Sequence, residues 1–459
     1  MDRLFISAAH KSSGKTTVTL GLCAALRSNS MAIQPFKKGP DYIDPMWLTR
    51  AAGHDCINLD FNTMSEREIK GVFNHFTRDK DIAVIEGNKG LYDGLDLEGR
   101  NSNAAIAKLL ETTVILVLDS RGMTRGVAPL ILGYEAFDKD VSIGGVILNR
   151  VGGSRHESKL RSVIEHYTDI PVIGALPNQE NLEINERHLG LIPSNEEIKA
   201  DQFIEAIKQS VLKNVDLDSV LSIAKNQHQL RSDFLPESTY QLRLSTEQAL
   251  RIGIIKDNAF GFYYPDDLKA FRHQGCELVF IDSINDVVVP DIDGLFIGGG
   301  FPETSGVELE RNASFRTSLR EKIEAGLPVY AECGGLMYLC RSIDWQNITY
   351  EMTGIIPGDV KLSAKPQGRG YIKLMPTTHH LWNIGHVDDV ICGHEFHYSR
   401  VENLPDNLSY GYDIVRGTGI DGHHDGLIYK NLIACYSHQR HTAINPWTSH
   451  FIDFIQSCR

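Results

Sequence analysis

Short apolar runs alternate with helix-length segments along the first half of the chain. RLFISAA reads as a buried strand, and KTTVTLGLCAALRSN as the helix after it. The runs AIQPFKKG, DIAVIEG, TVILVLDS, SIGGVILNR and PVIGALP repeat the theme. Strands covered on both faces are apolar throughout rather than at alternate positions. The series therefore predicts a parallel sheet wrapped by helices. SRHESKL offers a helix start, with Ser154 as cap and Glu157 three residues on.

Near residue 200 the pattern changes. IKQSVLKNVDLDSVLSIAKNQHQL has helical spacing and predicts a closing helix, while RSDFLPESTYQLRLSTEQ has no period and predicts a linker. A second α/β series begins at LRIGIIKDNAFGF and runs through CELVFID, DGLFIGGGFPE, LPVYAECGG and DGLIYKNLIACYSHQRH. The expected division is a first domain over 1–235, a linker over 236–248 and a second domain over 249–459. A length of 459 residues also favours two cores over one.

Composition narrows the class. With 42% hydrophobic and 23% charged residues, the chain reads as soluble and globular. No run of about 18 apolar residues suggests a membrane span. The N-terminus lacks a signal-peptide layout. A net charge of -13 without a long basic run argues against nucleic-acid binding, so an anionic substrate needs a local basic pocket. The eight cysteines form no CxxC pair, which argues against a zinc site and fits a reducing cytoplasm.

Several stretches carry candidate chemistry. SAAHKSSGKTT, residues 7–17, lies between strand and helix and matches a phosphate loop, with Ala9 replacing its first glycine. Ser13, Gly14, Lys15, Thr16 and Thr17 are its candidate ATP-binding residues. Gly14 permits close backbone approach, Lys15 can reach terminal phosphates, and the Thr16 hydroxyl can ligate Mg²⁺. FKKGPDYIDP and VIEGNKGLYDG place Lys37, Lys38, Asp41, Asp44, Glu86 and Asp93 at the carboxyl edge of the same sheet, as candidates for metal ligation and substrate positioning. Asn149 closes another strand, either against the nucleotide base or simply to turn the chain.

In the second domain, VYAECGGLMYL reads as strand, sharp turn and helix, with Cys333 at the turn before Gly334 and Gly335. IGGGFPE supplies Gly298, Gly299 and Gly300, able to aim backbone N–H groups at an oxyanion. ACYSHQRH supplies His438, and a cysteine with a histidine is the arrangement for thiolate attack on a carbonyl. His441 reads as structural.

GPDYIDP, EGNKGLYDG, RHLGLIP, GGGFPE, AECGGLMYL and GHEFHYS, in that order, span nearly all of the chain. With them the chain resembles the cobyrinate a,c-diamide synthase family of glutamine-dependent amidoligases. The resemblance implies an α/β fold: a P-loop NTPase-like, dethiobiotin-synthetase-like parallel-sheet domain, then a class I glutamine amidotransferase (flavodoxin-like) α/β domain. It implies glutamine hydrolysis through a thioester at Cys333, with His438 as base and Gly298, Gly299, Gly300 and Gly334 around the oxyanion and glutamine. ATP with Mg²⁺ would phosphorylate a tetrapyrrole carboxylate, and ammonia would displace the phosphate. The carboxylates would be the a and c acetates of cobyrinate or hydrogenobyrinate. Thr16, Asp41 and Glu86 would hold the metal. Lys37, Asp41, Asp44 and Asp93 would handle the acyl phosphate, with Tyr42 and Ile43 near the macrocycle. His394 and His397 of GHEFHYS would lie at the domain junction, with no assigned role. A homodimer fits the dethiobiotin-synthetase likeness.

The chain also departs from the family pattern. Lys38, Asn88 and Lys89 stand where apolar residues are usual, and Arg440 where a second histidine is usual, so no third member of the Cys333–His438 site is assigned. The lysine-rich segments resemble relatives that amidate sirohaem; nickel sirohydrochlorin is a further alternative. A rival class is a P-loop switch ATPase, which needs neither Cys333, nor the three glycines, nor His438.

Overall fold

The computed structural model describes residues 1–179, 186–187, 190–197, 199–225, 230, 249–384 and 390–459. The chain divides into two compact units, Met1–Pro236 and Glu237–Arg459. The expected linker over 236–248 and part of the RHLGLIP motif lie outside the described residues.

The first unit is built on β1 (Asp2–Ala8), β2 (Ile33–Lys38), β3 (Ile57–Leu59), β4 (Ile82–Glu86), β5 (Thr113–Asp119), β6 (Ile143–Val151) and β7 (Val172–Pro177). They lie in the order β3-β2-β4-β1-β5-β6-β7, and every neighbouring pair is parallel. Central β1 shows why its sequence is apolar throughout: Leu4, Ile6 and Ala8 join one core, while Phe5 joins the core on the opposite face. Helix α1 (Lys15–Ser28) follows β1, and α2 (Ile43–Ala52) follows β2.

Two local expectations are corrected. Helix Ser154–Tyr167 is capped by Gly153 at φ 113, a backbone setting that favours glycine, so Ser154 is its first residue and not its cap. The expected closing helix is two, Ala200–Asn214 and Leu217–Ala224. Asp216 restarts the chain by accepting hydrogen bonds from the Asp218 and Ser219 N–H groups.

The second unit carries a nine-stranded sheet. Its parallel part runs Glu277–Ile281, Arg251–Ile255, Gly294–Ile297, Val329–Glu332 and Leu432–Cys435. An antiparallel part, His424–Tyr429, Ser409–Arg416, Gly368–Pro376 and Ile391–His397, extends it from the Leu432–Cys435 strand. A separate four-stranded sheet uses Cys340–Trp345, Ile348–Glu351, Ile356–Leu362 and Ser399–Glu402. The candidate cysteine and histidine follow adjacent parallel strands in the first of these sheets.

Candidate functional site

The first site is the carboxyl edge of the parallel sheet. The loop between β1 and α1 turns through Ser12 (φ 63) and Gly14 (φ 84). A side chain at Gly14 would collide with Asn149, whose Nδ2 lies 2.0 Å from the Cβ position. Asn149 instead donates to the Ser13 carbonyl (2.9 Å), and the Arg150 guanidinium donates to the Ser12 carbonyl (2.7 Å) and to Asp119 (2.9 Å). These two residues at the end of β6 therefore hold the loop; Arg150 was not recognised in the sequence. Ser13 is buried and its hydroxyl donates to the His10 carbonyl, while Thr17 sits half-buried in the first turn of α1. The Asp93 carboxylate accepts from the Gly90 N–H, and the Leu91 N–H donates to the Ala8 carbonyl, so the 90–93 loop packs beside the phosphate loop.

Sheet register brings the charges together. Glu86 pairs in register with Ile6 on β1 and with Lys37 on β2. Lys37 Nζ lies 2.7 Å from Glu86 Oε1 and also binds Asp44; Asp41 is further away, at 3.8 Å. Thr16 Oγ1 lies 2.9 Å from Glu86 and 3.4 Å from Asp44. Asp41 is occupied differently, accepting from the N–H groups of Ile43 and Asp44 at the start of α2. Of the expected set, Thr16 and Glu86 come together, and Asp44 rather than Asp41 is the second carboxylate beside them. Tyr42 is buried and Ile43 packs on the core.

Buried charge sets the electrostatics. Burial pushes Glu86 up, whereas Lys37 pulls Asp44 down against the same burial. Burial and the Asp44 charge lift Asp41 to about 7. Burial, with Lys37 nearby, lowers Lys15 to about 8. Lys38 is buried beside Asn88 and is also lowered to about 8, chiefly by burial, so it is no solvated surface lysine; Lys89 is exposed. Replacing Lys37 by methionine leaves two inward carboxylates without their cation. The expected loss is about 3 kcal/mol of unfolding free energy, shrinking as the pH falls and the carboxylates take up protons. Denaturant melts across pH measure it, and an unchanged midpoint at pH 7 would refute the buried cluster.

The residues fit a divalent cation. Thr16 and two carboxylates converge, and Glu86 Oε2 is buried without a hydrogen-bond partner. Hard cations such as Mg²⁺ take oxygen ligands of this kind and leave positions for phosphate and water. No group of three or more His, Cys, Asp or Glu side chains among the described residues is arranged for a metal.

The second site forms where two adjacent parallel strands end. Cys333 follows strand Val329–Glu332 at φ 46, ψ -99, a strained turn, and its N–H donates to the Cys435 carbonyl (2.7 Å). His438 follows the paired strand Leu432–Cys435 and lies beside Cys333. Its Nδ1 lies 3.2 Å from Glu332 Oε2. Burial opposes charge on the ring, but Cys333 and Glu332 outweigh it and raise His438 to about 10.

The surroundings fix the histidine. His394 and His438 exchange backbone hydrogen bonds (3.2 and 2.8 Å), and their rings stack at 4.9 Å. Burial, with His438 and Arg440 nearby, keeps His394 neutral. The GHEFHYS strand thereby clamps His438 from within the second unit. His397 stacks on Tyr436 and bonds the Ser399 carbonyl. Arg440 binds Asp266, and His441 binds Thr448 and Asp267, so both anchor this segment.

The glycines divide in role. The Gly298 N–H donates to the Tyr263 hydroxyl (2.9 Å), so it is corrected from oxyanion donor to a fold contact. Gly299 lies under the His438 ring, where a Cβ would stand 2.6 Å from Cε1. Gly334 abuts Gly300, a Cβ falling 2.9 Å from its nitrogen. Close approach at these points requires the absence of side chains.

A phosphate-loop unit and a cysteine–histidine unit on one chain define a nucleotide-dependent glutamine amidotransferase class. Residues 251–445 match the family described as CobB/CobQ-like glutamine amidotransferase domain, and residues 2–186 match the AAA domain family. The chain is 43% identical over 439 residues to "Cobyrinate a,c-diamide synthase" of Magnetococcus marinus, covering 95% of this chain and 94% of that one. It is 41% identical to the protein of the same name from Methanosarcina acetivorans, covering 95% and 92%. Among solved structures, a glutamine amidotransferase aligns with TM-score 0.33 and 14% identity over 45% of this chain and 98% of that one, too slight a likeness to argue from. The chain belongs to the cobyrinate a,c-diamide synthase family. No helix among the described residues is long and apolar enough to cross a membrane.

Proposed function

We propose that the protein amidates the a and c carboxylates of cobyrinate, using ATP and glutamine. The observation that carries this reading is the presence of both sites, each with its charged partners in place, on a chain that matches synthases of that name along almost its whole length.

The Cys333 thiolate attacks the carboxamide carbon of glutamine. His438 gives its proton to the departing amine, releasing ammonia and leaving a thioester. Water then hydrolyses the thioester to glutamate, with His438 taking a proton. In this reading the side-chain-free backbone at Gly299, Gly300 and Gly334 leaves room for the oxyanion beside Cys333. In the first unit, a substrate carboxylate attacks the terminal phosphate of ATP, giving an acyl phosphate and ADP. Ammonia displaces phosphate, loses a proton and forms the amide. Lys15 faces the transferred phosphoryl charge. Asn149 keeps the loop in shape rather than reading the base. Thr16, Asp44 and Glu86 would hold Mg²⁺, which when bound neutralises phosphate charge. Lys37 keeps the two carboxylates in place, and Asp93 supports the neighbouring loop.

Two activations are needed because a carboxylate is a poor electrophile and free ammonia is scarce at neutral pH. The test is mass spectrometry of products after incubation with ATP, Mg²⁺, glutamine and either cobyrinate or sirohaem. Two added amides on cobyrinate alone are expected. Turnover of sirohaem alone would keep the chemistry and overturn the substrate.

A further inference from the structure

The sequence assigns no orienting group to the cysteine–histidine pair, and in the structure Arg440 is committed to Asp266. We propose that Glu332, the residue immediately before the nucleophile, is the positioning carboxylate that holds His438 in the tautomer facing Cys333. The inference rests on the amidotransferase reading and adds a residue to it.

The geometry is specific. Glu332 is 2% exposed, and its two oxygens have separate tasks. Oε1 accepts from the Tyr330 hydroxyl (2.9 Å) and from the Gln439 N–H (2.9 Å). Oε2 faces His438 Nδ1 at 3.2 Å. Tyr330 and Glu332 share a strand face because they are two residues apart, and Gln439 follows His438 directly. Two donors thus lock the carboxylate while its free oxygen meets the ring. An ionised carboxylate only accepts, so Nδ1 must carry a proton. Nε2 is then left to exchange a proton with the thiol and the leaving amine. The other titratable or charged groups around the ring are the neutral His394, stacked on it, and Arg440, paired with Asp266. Neither takes Nδ1.

Glutamine at position 332 tests this with little change of shape. Its carbonyl can keep the Tyr330 and Gln439 bonds, but its NH₂ then points at Nδ1. A donor there makes Nδ1 an acceptor and moves the ring proton to Nε2, the wrong side.

The experiment uses the full chain as wild type, Glu332→Gln and Glu332→Asp. Glutamine hydrolysis is followed across pH with ATP, Mg²⁺ and cobyrinate present, beside amidation fed by ammonium chloride. Alkylation of Cys333 by iodoacetamide at pH 7 is read by mass spectrometry of its peptide. For Glu332→Gln the expected result is a roughly hundredfold lower kcat with KM little changed. The basic limb of the profile, where His438 loses its proton, moves down by about one pH unit or more. Cys333 alkylation slows, and ammonium-fed amidation persists. Glu332→Asp, which keeps the charge, recovers part of kcat and of the limb. A Gln variant with wild-type kcat and limb overturns the proposal. So does equal loss in both variants with an unmoved limb, the mark of a purely structural residue. A wild-type chain that hydrolyses no glutamine yet takes ammonium overturns the amidotransferase reading itself, and this inference with it.

Discussion

Replacing Cys333 by serine is expected to abolish amidation fed by glutamine and to spare amidation fed by ammonium. The substitution keeps the turn, since serine has nearly the shape of cysteine and the site is closed, with Cys333 only 7% exposed. What it removes is the nucleophile. A thiol gives a reactive thiolate beside a histidine, whereas a serine hydroxyl needs a far stronger base to lose its proton. His438 is set for a thiol: Cys333 and Glu332 beside it favour the protonated ring. The expected loss of glutamine-dependent product is about 10⁴-fold or more. The first unit's loop, Lys37 cluster and β4 edge contain no part of Cys333, so an added nitrogen source bypasses the defect. The measurement is product mass against time with glutamine or ammonium chloride as nitrogen donor. Failure of ammonium to restore product in a folded variant would mean that the two activations are not separate.

The parts of this division that could be read from sequence share a physical cause. Buried parallel strands must be apolar at every position, so β1, β4 and β5 stand out as runs. Strand β3, with only Ile57–Leu59, is too short for any period to register. The antiparallel half of the second sheet escaped for another reason. Strand Gly368–Pro376 mixes buried and exposed positions and carries Arg369, Tyr371 and Lys373, so no uninterrupted apolar run marks it. Charges show the same limit. Asp41 and Asp44 both follow β2, and only the start of α2 decides between them: Asp41 turns back to cap the helix, leaving Asp44 to meet Thr16. Glu332 was hidden in plain view as the last residue of a strand, because its partner His438 is more than a hundred residues away and is brought near only by the pairing of Val329–Glu332 with Leu432–Cys435.

Replacing Lys15 by alanine is expected to remove amidation with either nitrogen source, the complement of the cysteine variant. Activation of the carboxylate precedes attack by ammonia, so its loss cannot be bypassed by more ammonia. Lys15 is buried at the mouth of the loop, near Glu86, Asp44 and Asp93. Its removal does not strand those carboxylates, since Lys37 still pairs with Asp44 and Glu86. The fold should therefore stand while charge stabilisation of the transferred phosphoryl group is lost, roughly 10³-fold in rate. The same lysine carries its own pH signature. Burial and the neighbouring Lys37 lower it to about 8, so the free chain sheds this charge as the pH rises through that value. Bound phosphate favours the protonated amine. ATP affinity, measured by titration calorimetry, should then weaken by up to about tenfold per pH unit above 8. In Lys15→Ala that slope should vanish along with most of the affinity. Product formation from ammonium by this variant would refute the phosphate-loop assignment, and a slope that persists would place the titrating group elsewhere. Near and above pH 8, where Lys15 is partly discharged, arriving phosphates draw a proton back onto it, so binding of the anion itself completes the charge that activation requires.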